Sequence, residues 1–270
     1  MAGSLKDLGV RAGSALALGV AMLAALFFGG MWGLAAIMAV IAVLACVEFF
    51  AMSRRERRMP NELVALSAVA VMPFAAATYG ATGLTAVVGA LVISAFFWHV
   101  LIRQIRLIDT AVTVFGAVYV GFTLSHLILI RQMEQGTFLA LATIASVWAN
   151  DVFAYLVGSA IGKHPLAPRI SPKKSWEGLV AGTIGTAGMW LLAGWLFELP
   201  VGWGALVTIG LLASVAAVIG DLAESRIKRE VRVKDSGTLL PGHGGFLDRF
   251  DSFIMVAIVT YYALFLVGVR

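Results

Sequence analysis

Hydrophobic and polar positions alternate along this chain on a long scale. Nine mainly apolar runs, about 13–30, 32–51, 63–79, 84–101, 110–130, 137–160, 178–197, 204–223 and 252–269, are divided by short polar segments. A helix crossing a bilayer needs about 20 such residues, with a range of roughly 17–25, and the runs match that length. The third and fourth are short, and with the inner end of the eighth they are the weakest of the spans. Several joints, such as Gly29-Gly30 and Tyr79-Gly80-Ala81-Thr82-Gly83, are turn-like and suit antiparallel helical hairpins. Lys6 and Arg11 precede the first run in the order of a secretory signal. That run is long for a signal core and a second follows at once, so it is read as a retained helix. No internal repeat is evident, and an odd number of runs argues mildly against a two-half inverted-repeat transporter.

Composition agrees with the pattern. Hydrophobic residues make up 60% of the 270 and charged residues 13%, against about 25% in ordinary soluble domains. The mean hydropathy is +0.93. A soluble globule has too little interior for that apolar surface, and the single cysteine, Cys46, excludes a disulfide scaffold. The expected fold is all-α: a polytopic integral membrane protein of about nine transmembrane helices. An N-terminal region, 1–140, is followed by a C-terminal region, 141–270, that carries the larger polar loops.

Charge placement sets an orientation. With the N-terminus in the cytoplasm, the inner segments are 1–12, 52–62, 102–109, 161–177 and 224–251, and they hold all 20 Lys and Arg residues except Arg131 and Arg270. The positive-inside rule therefore favours nine spans, N-terminus in and C-terminus out. The net charge of +5 reads as orientation and contact with anionic lipid, and nucleic acid is not expected as a partner.

The first half offers little chemistry. Arg54-Arg55-Glu56-Arg57-Arg58 is a solvated loop, and Glu48, His99 and Asp109 lie near span ends where they reach the interface. His126 is deeper and is expected to hydrogen-bond a neighbouring helix. The second half differs, because residues 221–251 hold twelve of the charged side chains. Asp221, Glu224, Ser225 and Lys228 follow i, i+3, i+4, i+7 spacing on one face of a helix continuing from span eight. Glu224 and Lys228 form an ordinary i,i+4 pair, but that does not account for Asp221 at the boundary, or for Asp248 and Asp251 opening span nine. Carboxylates converging at a membrane surface call for a cation. Mg²⁺ suits them, because it takes one or two carboxylates and leaves its other positions to water and phosphate. Most glycine turns such as Pro241-Gly242-His243-Gly244-Gly245 only reverse the chain, but glycines also let backbone N–H groups approach phosphate oxygens, and with Lys234, Asp235, Asp248 and Arg249 beside it this turn is a phosphate and metal candidate. In the other inner loop, Lys163, Arg169, Lys173 and Lys174 stand among three prolines with Ser171 and Ser175, although Ser175 also suits a helix N-cap. Asp151, deep in span six beside Asn150 and a turn from Tyr155, needs a polar cavity to lie there. These features describe a cytoplasm-facing pocket with carboxylates for Mg²⁺ and cations for phosphates.

The run Ser225-Arg-Ile-Lys-Arg-Glu-Val-Arg-Val-Lys-Asp-Ser-Gly-Thr-Leu-Leu-Pro-Gly-His-Gly-Gly-Phe-Leu-Asp-Arg-Phe-Asp251 resembles the signature of the phosphatidate cytidylyltransferase (CDP-diacylglycerol synthase) family at each specified position. Ile170-Ser-Pro-Lys-Lys-Ser-Trp-Glu-Gly178 resembles the family's other cytoplasmic segment, as does Asp151 with Tyr155. The likeness covers about 150–251; the first 140 residues share only a run of apolar helices. It implies a Mg²⁺-dependent transfer from CTP to phosphatidate at a bacterial inner membrane, giving CDP-diacylglycerol and diphosphate. By this resemblance Asp221 and Asp248 are the leading metal ligands, with Asp251 or Asp151 in support. Lys228 and Arg249 join the two leading aspartates as catalytic residues. Lys173, Lys174, Ser175, Ser225, Arg229, Lys234, His243, Gly244 and Gly245 are expected to bind substrate. The resemblance also suggests a homodimer and leaves open a second, monovalent cation. Two alternatives are a transporter of anionic substrates, against which the crowding of charge at the inner edge argues, and a CTP transferase acting on an ether-lipid analogue.

Overall fold

Residues 5–237, 239 and 244–270 are described by the computed structural model, with side chains from Leu16 onward. The order is α1 (Leu5–Phe27), α2 (Gly30–Arg55), α3 (Glu62–Leu101), α4 (Leu107–Ala117), a π-helical turn (Val118–Phe122), α5 (Thr123–Gln132), α6 (Gly136–Ile161), β1 (Pro165–Ala167), β2 (Ser171–Ser175), α7 (Trp176–Phe197), α8 (Trp203–Glu230) and α9 (Leu247–Leu266). Among the described residues, seven helical runs are long and apolar enough to cross a membrane: α2, α3, the continuous stretch from α4 to α5, and α6 to α9. The protein is an integral membrane protein.

At 1.5 Å per residue the 40 residues of α3 would span about 60 Å, twice the hydrocarbon thickness. It is not straight. Gly80, at φ 61° and ψ −148°, leaves helical geometry and divides α3 at the joint that the sequence marks. The α4–α5 stretch instead accommodates a π turn, where Tyr119 is buried and stacks on Phe115 at 5.5 Å.

The chain forms two compact units, Met1–Ile128 with Glu230–Phe250, and Leu129–Arg229 with Asp251–Arg270. In the first, α2 buries Leu34, Met38, Ile41, Ala45 and Phe49 along one stripe. Gly116 admits the Phe49 and Phe50 rings, since a Cβ there would lie 2.7 Å from Phe49. Asp109 is nearly inaccessible and receives the Met59 amide at 2.8 Å and the Arg106 amide at 3.0 Å, so its carboxylate caps α4 and anchors the loop between α2 and α3.

In the second unit α6 and α7 pack closely at small residues: a Cβ on Gly178 would lie 2.8 Å from the Ala154 carbonyl, and one on Gly182 would lie 2.9 Å from that of Asn150. A buried polar ladder joins three helices here. Ser214 Oγ donates to Asn150 Oδ1 at 2.8 Å and lies 2.9 Å from Thr183 Oγ1. Where lipid offers no partner, such groups must satisfy one another. The proline-rich inner loop is a short antiparallel hairpin, β1 on β2, closed by the Ile170 amide on the Ala167 carbonyl at 3.1 Å. The sequence suggested only a stiff loop there. Pro165 and Pro172 sit within the two strands, where a fixed φ suits extended backbone at an edge.

Candidate functional site

Two polar clusters arise, one in each unit. In the Leu129–Arg229 unit, α6, the hairpin, the start of α7 and α8 enclose a cavity of about 570 Å³. Its walls include Ala154, Leu179 and Val218, and its polar lining includes Asp151, Ser171, Lys173, Lys174, Ser175 and Asp221. Sequence and fold agree on why these meet. Asp151 is carried by α6 about three turns before its end, β2 presents Lys173 and Lys174, and α8 brings Asp221.

Lys174 Nζ forms an ion pair with Asp221 Oδ2, and both side chains remain about a quarter exposed, at 27% and 28%. Ser225 Oγ, one turn along α8, donates to Asp221 Oδ1 at 3.2 Å. Asp251, in α9, is within electrostatic range of Asp221, Asp151 and Lys174. This is an oxygen-rich group with a cation already engaged, next to an apolar-walled cavity. Such an arrangement suits an amphiphile carrying a phosphate. Among the described residues no three Asp, Glu, His or Cys side chains stand together as a ready metal cage. A Mg²⁺ ion asks for less, one or two carboxylates with water and phosphate completing its shell, and this donor set has that chemistry.

Other expected residues take defined places in the same unit. Ser175 caps α7, its Oγ accepting the Gly178 amide at 3.2 Å, and it also lines the cavity. Lys228 is buried and paired with Glu224, as the i,i+4 spacing indicated, while Arg229 is exposed at the end of α8.

The second cluster belongs to the Met1–Ile128 and Glu230–Phe250 unit. Asp248, in the first turn of α9, accepts at a single oxygen, Oδ2, from the Ser236 amide at 2.9 Å, Ser236 Oγ at 2.9 Å and the Gly245 amide at 2.8 Å. Gly244 has φ +83°, and a Cβ there would lie 2.8 Å from the same oxygen. The glycines thus let the backbone fold onto a carboxylate. Lys234 and Arg249 are exposed beside this segment. His243 lies outside the described residues.

The sequence places Glu48 near a span end with access to the interface, and the structure instead buries it. It is 3% exposed in α2, and its Oε2 accepts Ser236 Oγ at 2.9 Å and the Leu247 amide at 2.9 Å. The available signal was a carboxylate in an apolar run, which is costly unless something meets it.

Comparison with known proteins gives a consistent picture. The family model described as "Cytidylyltransferase family" matches residues 9–267. A protein named phosphatidate cytidylyltransferase from Brucella abortus is 44% identical over 147 residues, 54% of this chain and 54% of its own. One of the same name from Bacillus subtilis is 40% identical over 151 residues, 55% of this chain and 56% of its own. Another from Mycobacterium bovis is 34% identical over 201 residues, covering 69% and 65%. The chain spans about half the length of the first two relatives.

Proposed function

This chain belongs to the cytidylyltransferase family, and from that premise we propose that it transfers CMP from CTP to phosphatidate, forming CDP-diacylglycerol and diphosphate for phospholipid synthesis. The observation that carries this reading is the cavity in which apolar helix walls meet Lys173, Lys174 and the Asp221 carboxylate. Its relatives' printed names specify the same transfer. The segregation of Lys and Arg supports a chain with nine crossings, its N-terminus in the cytoplasm and its active face at the cytoplasmic side of an inner membrane.

A phosphatidate oxygen attacks the α-phosphorus of CTP. A new P–O bond forms, the α–β anhydride bond breaks, and diphosphate leaves with the bonding electrons. Phosphatidate is already anionic near neutral pH, so the chain needs no strong base. Its work is alignment and charge neutralisation. Lys173 and Lys174 meet phosphate oxygens, Lys174 exchanging its Asp221 partner for substrate. Ser171 and Ser175 orient the same groups through their hydroxyls, and Ala154, Leu179 and Val218 receive the lipid's apolar portion. Asp221, with Asp151 and Asp251, and separately Asp248 are the residues that would hold Mg²⁺. When bound, Mg²⁺ supplies positive charge to the phosphates. Lys228, Arg229, Lys234, Arg249, Ser225 and the Gly244–Gly245 turn contribute to the phosphate environment.

The test is conversion of labelled CTP and phosphatidate by the purified full chain in mixed micelles, with Mg²⁺ and after chelation. Lipid-linked CMP that requires Mg²⁺ is expected. Its absence at saturating substrate would sink the assignment, and a panel including ether-linked phosphatidate would separate lipid classes.

A further inference from the structure

We propose that Glu48 is a positioning residue: its buried carboxylate fastens the segment around Ser236 and Leu247 to α2, and so sets the orientation of Asp248. The first half of the chain thereby acquires a specific part in the site. This deepens the cytidylyltransferase reading and rests on it for the role of Asp248.

The residues that meet at Glu48 are far apart in sequence. Ser236 lies 188 positions away and Leu247 lies 199 positions away, yet both donate to Oε2 at 2.9 Å. Ser236 and Leu247 are themselves buried. The fit is close on both sides of the carboxylate: a Cβ on Gly237 or on Gly245 would overlap Glu48, and one on Gly245 would also overlap Ser236 Oγ. Those two glycines are therefore required by a side chain in α2. Glu48 Oε1 is buried and accepts no hydrogen bond among the described residues, so the fastening runs through Oε2.

The connection to Asp248 is direct. Ser236 Oγ stands 2.9 Å from both Glu48 Oε2 and Asp248 Oδ2. A hydroxyl has one hydrogen to donate, so Ser236 shares it between the two carboxylate oxygens and links them through one side chain. The Ser236 and Gly245 amides complete the hold on Asp248 Oδ2. Removing the Glu48 carboxylate frees Ser236 to rotate and withdraws the acceptor from the Leu247 amide, one residue before Asp248. Asp248 keeps its charge and its local donors, but the segment that carries them is no longer fixed against α2.

Hydrogen–deuterium exchange of the intact protein in lipid nanodiscs tests this without reliance on turnover. In Glu48→Ala, peptides carrying Ser236 and Leu247 should exchange about tenfold faster or more, as expected for losing a charged acceptor. Glu48→Gln keeps an oxygen toward both donors and should restore most of that protection. Cys46→Ala, at a fully buried neighbour in α2, is the packing control and should lower the melting temperature while leaving those peptides protected. In parallel, Glu48→Ala should raise the Mg²⁺ concentration for half-maximal activity and lower kcat more than it raises KM for CTP. Unchanged exchange in Glu48→Ala overturns the proposal, as does equal loosening in Cys46→Ala or a glutamine variant as loose as alanine. If Glu48→Ala fails to fold, Ser236→Ala decides: faster exchange of the Gly245 and Leu247 region supports the network, and unchanged exchange overturns it. A wild-type chain inactive on CTP and phosphatidate would remove the enzymatic reading, while exchange would still decide the role of Glu48.

Discussion

Replacing Lys174 by alanine should separate folding from chemistry. In the resting protein its ammonium pairs with Asp221, but the side chains are 27% and 28% exposed. Water screens a pair so placed, and exposed pairs of this kind contribute about 0–1 kcal/mol. Alanine should therefore cost less than about 1 kcal/mol of stability. The proposed reaction makes a different demand, because negative charge would shift onto the departing diphosphate within reach of this ammonium. Loss of one positioned donor to developing negative charge typically costs about 2.7–4 kcal/mol, or roughly 10²–10³ in turnover. The expected outcome is a folded protein with kcat reduced about a hundredfold or more. The assay is formation of lipid-linked CMP, with kcat and KM determined separately for CTP and phosphatidate, alongside thermal denaturation in the same detergent. A kcat within about threefold of wild type would show that Lys174 only pairs with Asp221. Lost activity accompanied by an equivalent loss of folded protein would also refute the reasoning, since the ion pair would then be structural.

Asp248→Asn should reduce turnover by about 10²-fold or more while the protein elutes as wild type with unchanged helix content. Near-normal activity would take Asp248 out of the site. Gly80→Ala places a side chain at φ 61°, ψ −148°, a region open almost only to glycine, and should destabilise the fold by about 1–3 kcal/mol. Thermal denaturation in detergent measures this, and an unchanged midpoint would show that α3 bends elsewhere without strain.

Much of the architecture is legible in the sequence because hydrocarbon thickness imposes a strong length scale. The Tyr79–Gly83 joint coincides with the break at Gly80, and the polar face of Asp221, Glu224, Ser225 and Lys228 is part of an α8 that continues to Glu230. The edges differ where polar residues remain helical. α9 starts at Leu247, earlier than the apolar run at 252, since Asp248 favours the positive end of a helix. The cavity lining was legible for Asp151, Lys173, Lys174 and Asp221, because clustered charge is conspicuous in an apolar chain. The burial of Glu48 was not, because its hydrogen-bond partners lie nearly 200 residues onward. No local pattern of spacing encodes such a pairing, and neither the π turn nor the β hairpin has a periodic signal at that length.

The pairing of Glu48 with Ser236 also imposes an order in time on the making of this protein. At about 5–20 residues per second of synthesis, α2 emerges roughly 10–40 s before the serine that engages its carboxylate, 188 positions later. Through that interval a helix otherwise suited to lipid carries an acidic group whose eventual donors have not been made. Glu48 must wait near water, beside an insertion factor, or against a temporary neighbour. The hydrogen bonds that meet its carboxylate therefore cannot form until Ser236 and Leu247 have been made, and a nascent chain halted before Ser236 would carry an α2 whose acidic group lacks both donors.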